Sequence, residues 1–179
     1  MALVLGLFAV WAVAMQFGSG EEGGGDHAPL RLRATVVHPP PSSAVPPDTI
    51  RFAVPAVAHR CGHGRSLLLE GAGERGNGVL VLLRYGDSLT PGVFPVIALG
   101  DSLTLRGAAV AVRYMIRDVA HGLALDSGTV ELRDLRGARD SVAARVGGAG
   151  LESAVRVTLE AEYAAVPFAA DTVPCRYRP

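Results

Sequence analysis

Three groups of residues in this sequence are of types that could do chemistry. In the first, Gly100-Asp101-Ser102-Leu103-Thr104 is followed by Asp118-Val119-Ala120-His121. A serine hydroxyl becomes a nucleophile once a histidine takes its proton and a carboxylate orients that histidine. The second is His59-Arg60-Cys61-Gly62-His63. On a strand, positions 59, 61 and 63 share one face and would offer nitrogen and sulfur donors to a metal such as zinc. The third is the set Arg113, Arg117, Arg133, Arg136 and Arg139, which could build a cationic surface for acidic lipid or a partner's carboxylates.

The block Val96-Ile97-Ala98-Leu99-Gly100-Asp101-Ser102-Leu103-Thr104 resembles the nucleophile block of the GDSL (SGNH) hydrolases, and Asp118-x-x-His121 resembles that family's Asp-x-x-His. The resemblance implies Ser102 as the ester-attacking group, with backbone amides, a Gly and an Asn holding the oxyanion. The sequence departs from that pattern. Its only Asn, Asn77, lies upstream of Ser102, and the Asp118–His121 pair follows where the family has a much longer α/β domain. Moreover, Gly86-Asp87-Ser88-Leu89-Thr90 repeats the same five residues. A repeat flanking a strand is what two similar hairpin turns produce, with Gly for φ > 0 and Asp and Ser bonding their own backbone. Turn chemistry is therefore expected here, with no catalytic residue.

The other two groups have equally plain readings. Cys61 and Cys175 are the only cysteines, and an even count in an exported chain reads as a disulfide. With Cys61 oxidised no thiolate remains, so His59 and His63 are expected to be surface histidines, with no metal and no cofactor. Asp118, Asp134 and Asp140 stand among the five arginines, which reads as a solvated face with local ion pairs.

The elements that must carry these residues are strands. Leu30 to His38 alternates and is stopped by Pro39-Pro40-Pro41, and Ile50, Phe52 and Val54 alternate from Thr49 onward. Ser66–Glu70, Val79–Tyr85, Val93–Leu99, Ala108–Arg117, Thr129–Leu135 and Ser141–Val146 follow, separated by Gly-rich turn signals that include Gly147-Gly148-Ala149-Gly150. The long stretch Ala154–Val166 has enough Glu and Ala for a helix, yet its Val-Arg-Val-Thr opening and Pro167 favour a strand. About eight or nine strands at this spacing predict an all-β domain, an antiparallel sandwich or barrel, preceded by one N-terminal hydrophobic helix. The succession from Arg65 to Pro167 resembles small exported β-sandwich domains of unknown function in bacteria.

Met1 to Phe17 is an apolar run interrupted only by Gly6 and Gln16, with no Lys or Arg preceding Leu3. A signal peptide wants a basic n-region, so a retained membrane anchor is favoured over a cleaved leader. As a helix it would measure roughly 25 Å, the short end of what a bilayer core accepts. Three parts result: residues 1–17 as anchor or signal peptide, 18–48 as a Gly- and Pro-rich extended linker with one short strand, and 49–179 as the β-domain. The expected address is the inner membrane, single-pass, with the β-domain on the periplasmic side; the alternative is a secreted or periplasmic form after cleavage.

Seventeen cations, all Arg, balance seventeen Asp and Glu. Such neutrality excludes a nucleic-acid footprint, which needs a basic excess on one face. An anchor, a Gly-rich tether, a Pro-rich extended stretch and a catalytically blank β-domain resemble, in layout, the membrane-extrinsic accessory polypeptides of bacterial reaction centre and light-harvesting complexes. That resemblance implies a non-enzymatic subunit bracing an integral-membrane complex, reached through Met1 to Phe17. The alternative is a free periplasmic or surface binding module, and a GDSL-type esterase stands furthest away.

Overall fold

The computed structural model describes residues 29–40, 46–62, 65–101, 103–136 and 141–175. Met1 to Phe17 and the Gly-rich linker up to Ala28 lie outside these residues, as do His63, Ser102, Arg139 and Asp140. Among the described residues no helix is long and apolar enough to cross a membrane.

Everything described is strand and connection. The eleven strands are β1 (Leu32–His38), β2 (Asp48–Val54), β3 (Ala56–Cys61), β4 (Ser66–Ala72), β5 (Gly78–Tyr85), β6 (Gly92–Pro95), β7 (Arg106–Ile116), β8 (Val119–Ala124), β9 (Ser127–Arg136), β10 (Ser141–Glu152) and β11 (Val155–Val173). They hydrogen-bond in the order β6-β9-β10-β11-β3-β4-β5-β7-β8, with the hairpin β2-β1 attached to β11. Every ladder is antiparallel except the one between β3 and β11. Just past β6, Val96 bridges Ala108 of β7, and the Ile97 N–H donates to the Ala108 carbonyl at 3.0 Å. The path of strands thereby returns on itself.

β11 organises the fold. Its first half lies between β10 and β1, and its end runs beside β3. Val157, Leu159, Ala161 and Tyr163 face the core in strict alternation, and then the inward position shifts to Val166. The shift is a bulge in which Ala165 takes φ 47° and the ladder to β10 slips between Val142 and Ala144. A bulge bends its strand, which lets one strand serve two halves of the sheet. No helix forms over Ala154–Val166, because its period-two apolar face is buried along the whole strand.

One core joins both halves: Leu32, Val36, Leu67, Leu83, Phe94 and Tyr163 are among its fully buried side chains. Each such side chain contributes about 1.5–3 kcal/mol by leaving water. Across the middle, the Tyr163 hydroxyl of β11 donates to the Val79 carbonyl of β5 at 2.7 Å.

The structure departs from the sequence reading in its details. β1 belongs to the β-domain, not to a linker: it is bonded on both sides, and Leu32 and Val36 are fully buried. β3 and β8 were not legible, which brings the strands to eleven. β10 runs through Gly147, Gly148 and Gly150 and turns only at Ser153 and Ala154, both with φ > 0. The glycines permit close contact: a Cβ on Gly148 would lie 2.3 Å from the Ser127 carbonyl oxygen, and one on Gly150 would lie 2.2 Å from that of Ala124.

Candidate functional site

The serine block is built as a turn. The Asp101 carboxylate accepts hydrogen bonds from the Leu103 N–H at 2.7 Å, the Thr104 N–H at 3.0 Å and the Thr104 hydroxyl at 2.5 Å. The Thr104 hydroxyl and amide and the Leu103 amide hold this carboxyl below the usual carboxylate range. Ser102 itself lies outside the described residues. In the upstream repeat Gly86 has φ 76°, and Asp87 is exposed, 3.6 Å from Arg65.

His121 is elsewhere. It stands on β8 opposite Tyr114 of β7, eight strand residues beyond Arg106 and so roughly 26 Å along the chain from the Asp101 turn. Its ring stacks on that of Tyr114, and its Nδ1 is 2.9 Å from Glu152 at the β10–β11 turn. Glu152 also accepts a hydrogen bond from the Tyr114 hydroxyl. Burial, with that bond and the Glu152 charge, pushes the Tyr114 phenol well above its ordinary value. His38 meets the His121 ring edge-on at 5.9 Å. The Asn77 side-chain oxygen is taken by the Met115 N–H at 2.8 Å. Asp118 and Asn77 thus do not meet the Asp101 turn; these residues join β7, β8 and the β10–β11 hairpin at one end of the sheet.

Cys61 and Cys175 are joined, with Cα atoms 5.3 Å apart. The bond pins the end of β11 to β3, where the Gly62 N–H also donates to the Val173 carbonyl at 3.1 Å. His59 points outward from β3, its Nε2 4.0 Å from Glu70, while its Nδ1 is buried without a partner among the described residues. No three His, Cys, Asp or Glu side chains converge on a metal-sized space among the described residues.

The arginines singled out in the sequence are spread over several elements. Arg113 is on β7, Arg117 is in the β7–β8 turn and Arg133 is on β9. Arg133 bonds Glu131 at 2.9 Å and lies 4.0 Å from Glu162. A different set meets instead, on the outer side of β2, β1, β11 and β10. There Arg33, Arg51, Arg133 and Arg145 surround Glu160 and Glu162 in an open cleft of about 630 Å³. Only cross-strand pairing reveals this group: Arg33 and Arg145 both sit opposite Glu162, from β1 and β10 respectively.

The outer side of β3, β4, β5, β7 and β8 has the opposite character. Positions alternating with the core there are Val57, Leu68, Leu80, Leu82, Ala109, Ala111 and Ala124, of which Ala109 and Ala111 are buried and the others half-buried, and the register sets them side by side: His59–Leu68–Leu82–Ala109 in one row and Val57–Glu70–Leu80–Ala111–Ala124 in the next. This is why Leu67-Leu68-Leu69 and Val79–Leu83 read as unbroken apolar runs. Glu70 lies in this face, and burial raises its carboxyl above the ordinary value, partly offset by His59.

No protein-family model, no curated protein and no solved structure matches the chain.

Proposed function

We propose that the chain is a non-catalytic extrinsic subunit, held to the inner membrane by Met1 to Phe17 with its β-domain on the periplasmic side. It docks through the outer face of β3–β4–β5–β7–β8 onto an integral-membrane complex, in the manner of the accessory polypeptides its layout resembles. The observation that supports this most is the apolar outer face centred on Leu68, Leu80 and Leu82. Water-facing strands ordinarily alternate apolar and polar residues, and a contiguous apolar face marks a contact surface. We read the sheet that returns on itself as a flattened, partly closed barrel, a shape that offers two rigid outer faces. Nothing in this reading asks the domain to do chemistry.

The test is purification of the full chain from native membranes with whatever chains accompany it, compared with Leu82→Glu. Leu82 is half-buried and stands outside the core cluster, so the variant should fold, as an unchanged denaturation curve would check, and stay in the membrane yet lose its companions. Retention of every companion by Leu82→Glu would exclude this face. Removing Gly18 to Ala28 alone, which spares β1, should lower the assembly's detergent resistance while leaving the activity per complex unchanged.

The second reading is a free periplasmic binding module, released by cleavage in the N-terminal segment. The cleft on the other outer face favours it, since a cleft of about 630 Å³ is of the size that holds small ligands. Intact-mass measurement of native protein separates the two readings: a mass lacking the apolar segment supports the module.

A further inference from the structure

The cleft over β2, β1, β11 and β10 carries an inference of its own. Arg133 is engaged by Glu131 and Glu162, but no carboxylate among the described residues comes within 4.0 Å of Arg33, Arg51 or Arg145. Arg33 and Arg145 flank Glu162 on either side, and Arg51 stands opposite Thr35, one row away. With Glu162 shared and Glu160 the remaining acid in the cleft, the unengaged cations exceed the unengaged anions.

A second observation concerns the rim. Among the described residues β2 pairs only with β1, so no described strand takes the backbone N–H and C=O groups on the other edge of Asp48–Val54. Natural sheets shield such an edge with Pro, Lys or a bulge inside the strand. β2 has no Pro, Lys or bulge and carries only Asp48 and Arg51 as charges: Pro46-Pro47 and Pro55 bracket it, and its register to β1 runs unbroken. An extended peptide can add to such an edge, taking affinity from the backbone and specificity from alternate side chains.

We propose that β2 accepts an acidic, extended segment of a partner protein as an added strand, whose alternate carboxylates reach Arg51 and then Arg33 in the cleft, while Arg145, farther in on β10, adds to the positive potential. Two residues of strand span about 6.6 Å, so a sequence alternating Glu with an apolar residue places each carboxylate on the cleft side and each apolar residue toward Phe52 and Ile50. Guanidinium groups suit this role, since each takes a carboxylate with two parallel hydrogen bonds. The proposal deepens the docking-subunit reading and rests on it for the existence of a partner.

The experiment uses the full chain in detergent and a fluorescent, end-blocked peptide of about ten residues alternating Glu and Val. Anisotropy should show binding that weakens with added salt and is lost at least about tenfold in the Arg33→Ala, Arg51→Ala, Arg145→Ala triple variant. The same peptide methylated at alternate backbone nitrogens should fail in one of its two registers, because only one set of amides faces β2. Binding of a Lys–Val peptide as tight as that of the Glu–Val peptide would overturn the proposal. So would equal loss of both methylated peptides, equal competition by citrate or phosphate, or binding to phosphatidylglycerol vesicles carried by the same three arginines. The arginines are exposed, so the triple variant should fold, and an unchanged denaturation curve checks this. Because no native partner enters the measurement, its failure is distinct from failure of the Leu82→Glu test.

Discussion

Tyr163 offers the sharpest quantitative test of the core. It is fully buried and gives its only hydroxyl proton to the Val79 carbonyl, 84 residues away in sequence. Tyr163→Phe keeps the ring and removes the donor, leaving a dry acceptor. The lost bond and the unpaired carbonyl together should cost about 1–2 kcal/mol at neutral pH. For a domain of this length that lowers Tm by about 3–8 °C. A second signature follows from titration. Burial, with a contribution from the Glu70 charge, raises the Tyr163 phenol well above its ordinary value of 10. Above about pH 10 the unfolded chain therefore loses a proton that the native chain keeps, and stability falls as pH rises, by about 1.4 kcal/mol per pH unit for this group. Tyr114 is raised as well and adds a slope of the same sign. Tyr163→Phe should thus be weaker at neutral pH but decline less steeply above about pH 10, so that the two stability curves converge. Urea denaturation followed by circular dichroism, at about pH 7, 10 and 11, measures both effects. A variant as stable as the wild type at neutral pH, with a parallel alkaline decline, would refute the reasoning.

Reduction of the Cys61–Cys175 bond, which closes a separation of 114 residues, should cost about 2–5 kcal/mol; thiol labelling of unfolded, unreduced protein should find no free cysteine. Gly148→Ala should cost more than about 2 kcal/mol, since its methyl would meet the Ser127 carbonyl oxygen at 2.3 Å, and calorimetry reads this directly. Glu70→Gln should stabilise the isolated protein at neutral pH and not at about pH 3: a carboxyl raised on folding costs stability once the unfolded form ionises, above about pH 4.5. Ser102→Ala should leave stability and all activity unchanged, whereas His121→Ala should lose about 1 kcal/mol through its contact with Glu152; ester turnover by the wild type that vanishes in Ser102→Ala would sink the turn reading.

Alternation made most strands legible, including the doubtful Ala154–Val166, because period two is imposed by a one-sided core. What escaped had physical causes. β3 follows β2 after Pro55 alone, so the two read as one segment. Val119–Ala124 holds few β-branched residues and was read through its Asp-x-x-His spacing. Gly147 to Gly150 looked like a turn because their service, room for the backbone of Ala124 and Ser127, depends on strands far away in sequence. The disulfide was readable from the count, since Cys61 and Cys175 are the only two cysteines. The cleft was not, since Arg145 lies far along the chain from Arg33 and Arg51 and joins them only through β11.

The placement of β11 also dictates a timetable. β1 and β3, near the start of the domain, pair one edge with an early neighbour, β2 and β4, but find their other neighbour only in the last strand made, and Arg31 donates to the Ala165 carbonyl across 134 residues of sequence. Pairing over such separations is slow, and none of it can begin on a chain whose end has not arrived. A chain synthesised from its N-terminus therefore stays open-edged until its final residues emerge; a truncation from Phe168 onward strips β3 of its neighbour, and one that reaches back to Val155 leaves β1 and β10 without theirs as well. A chain that cannot close early remains threadable until its last strand arrives.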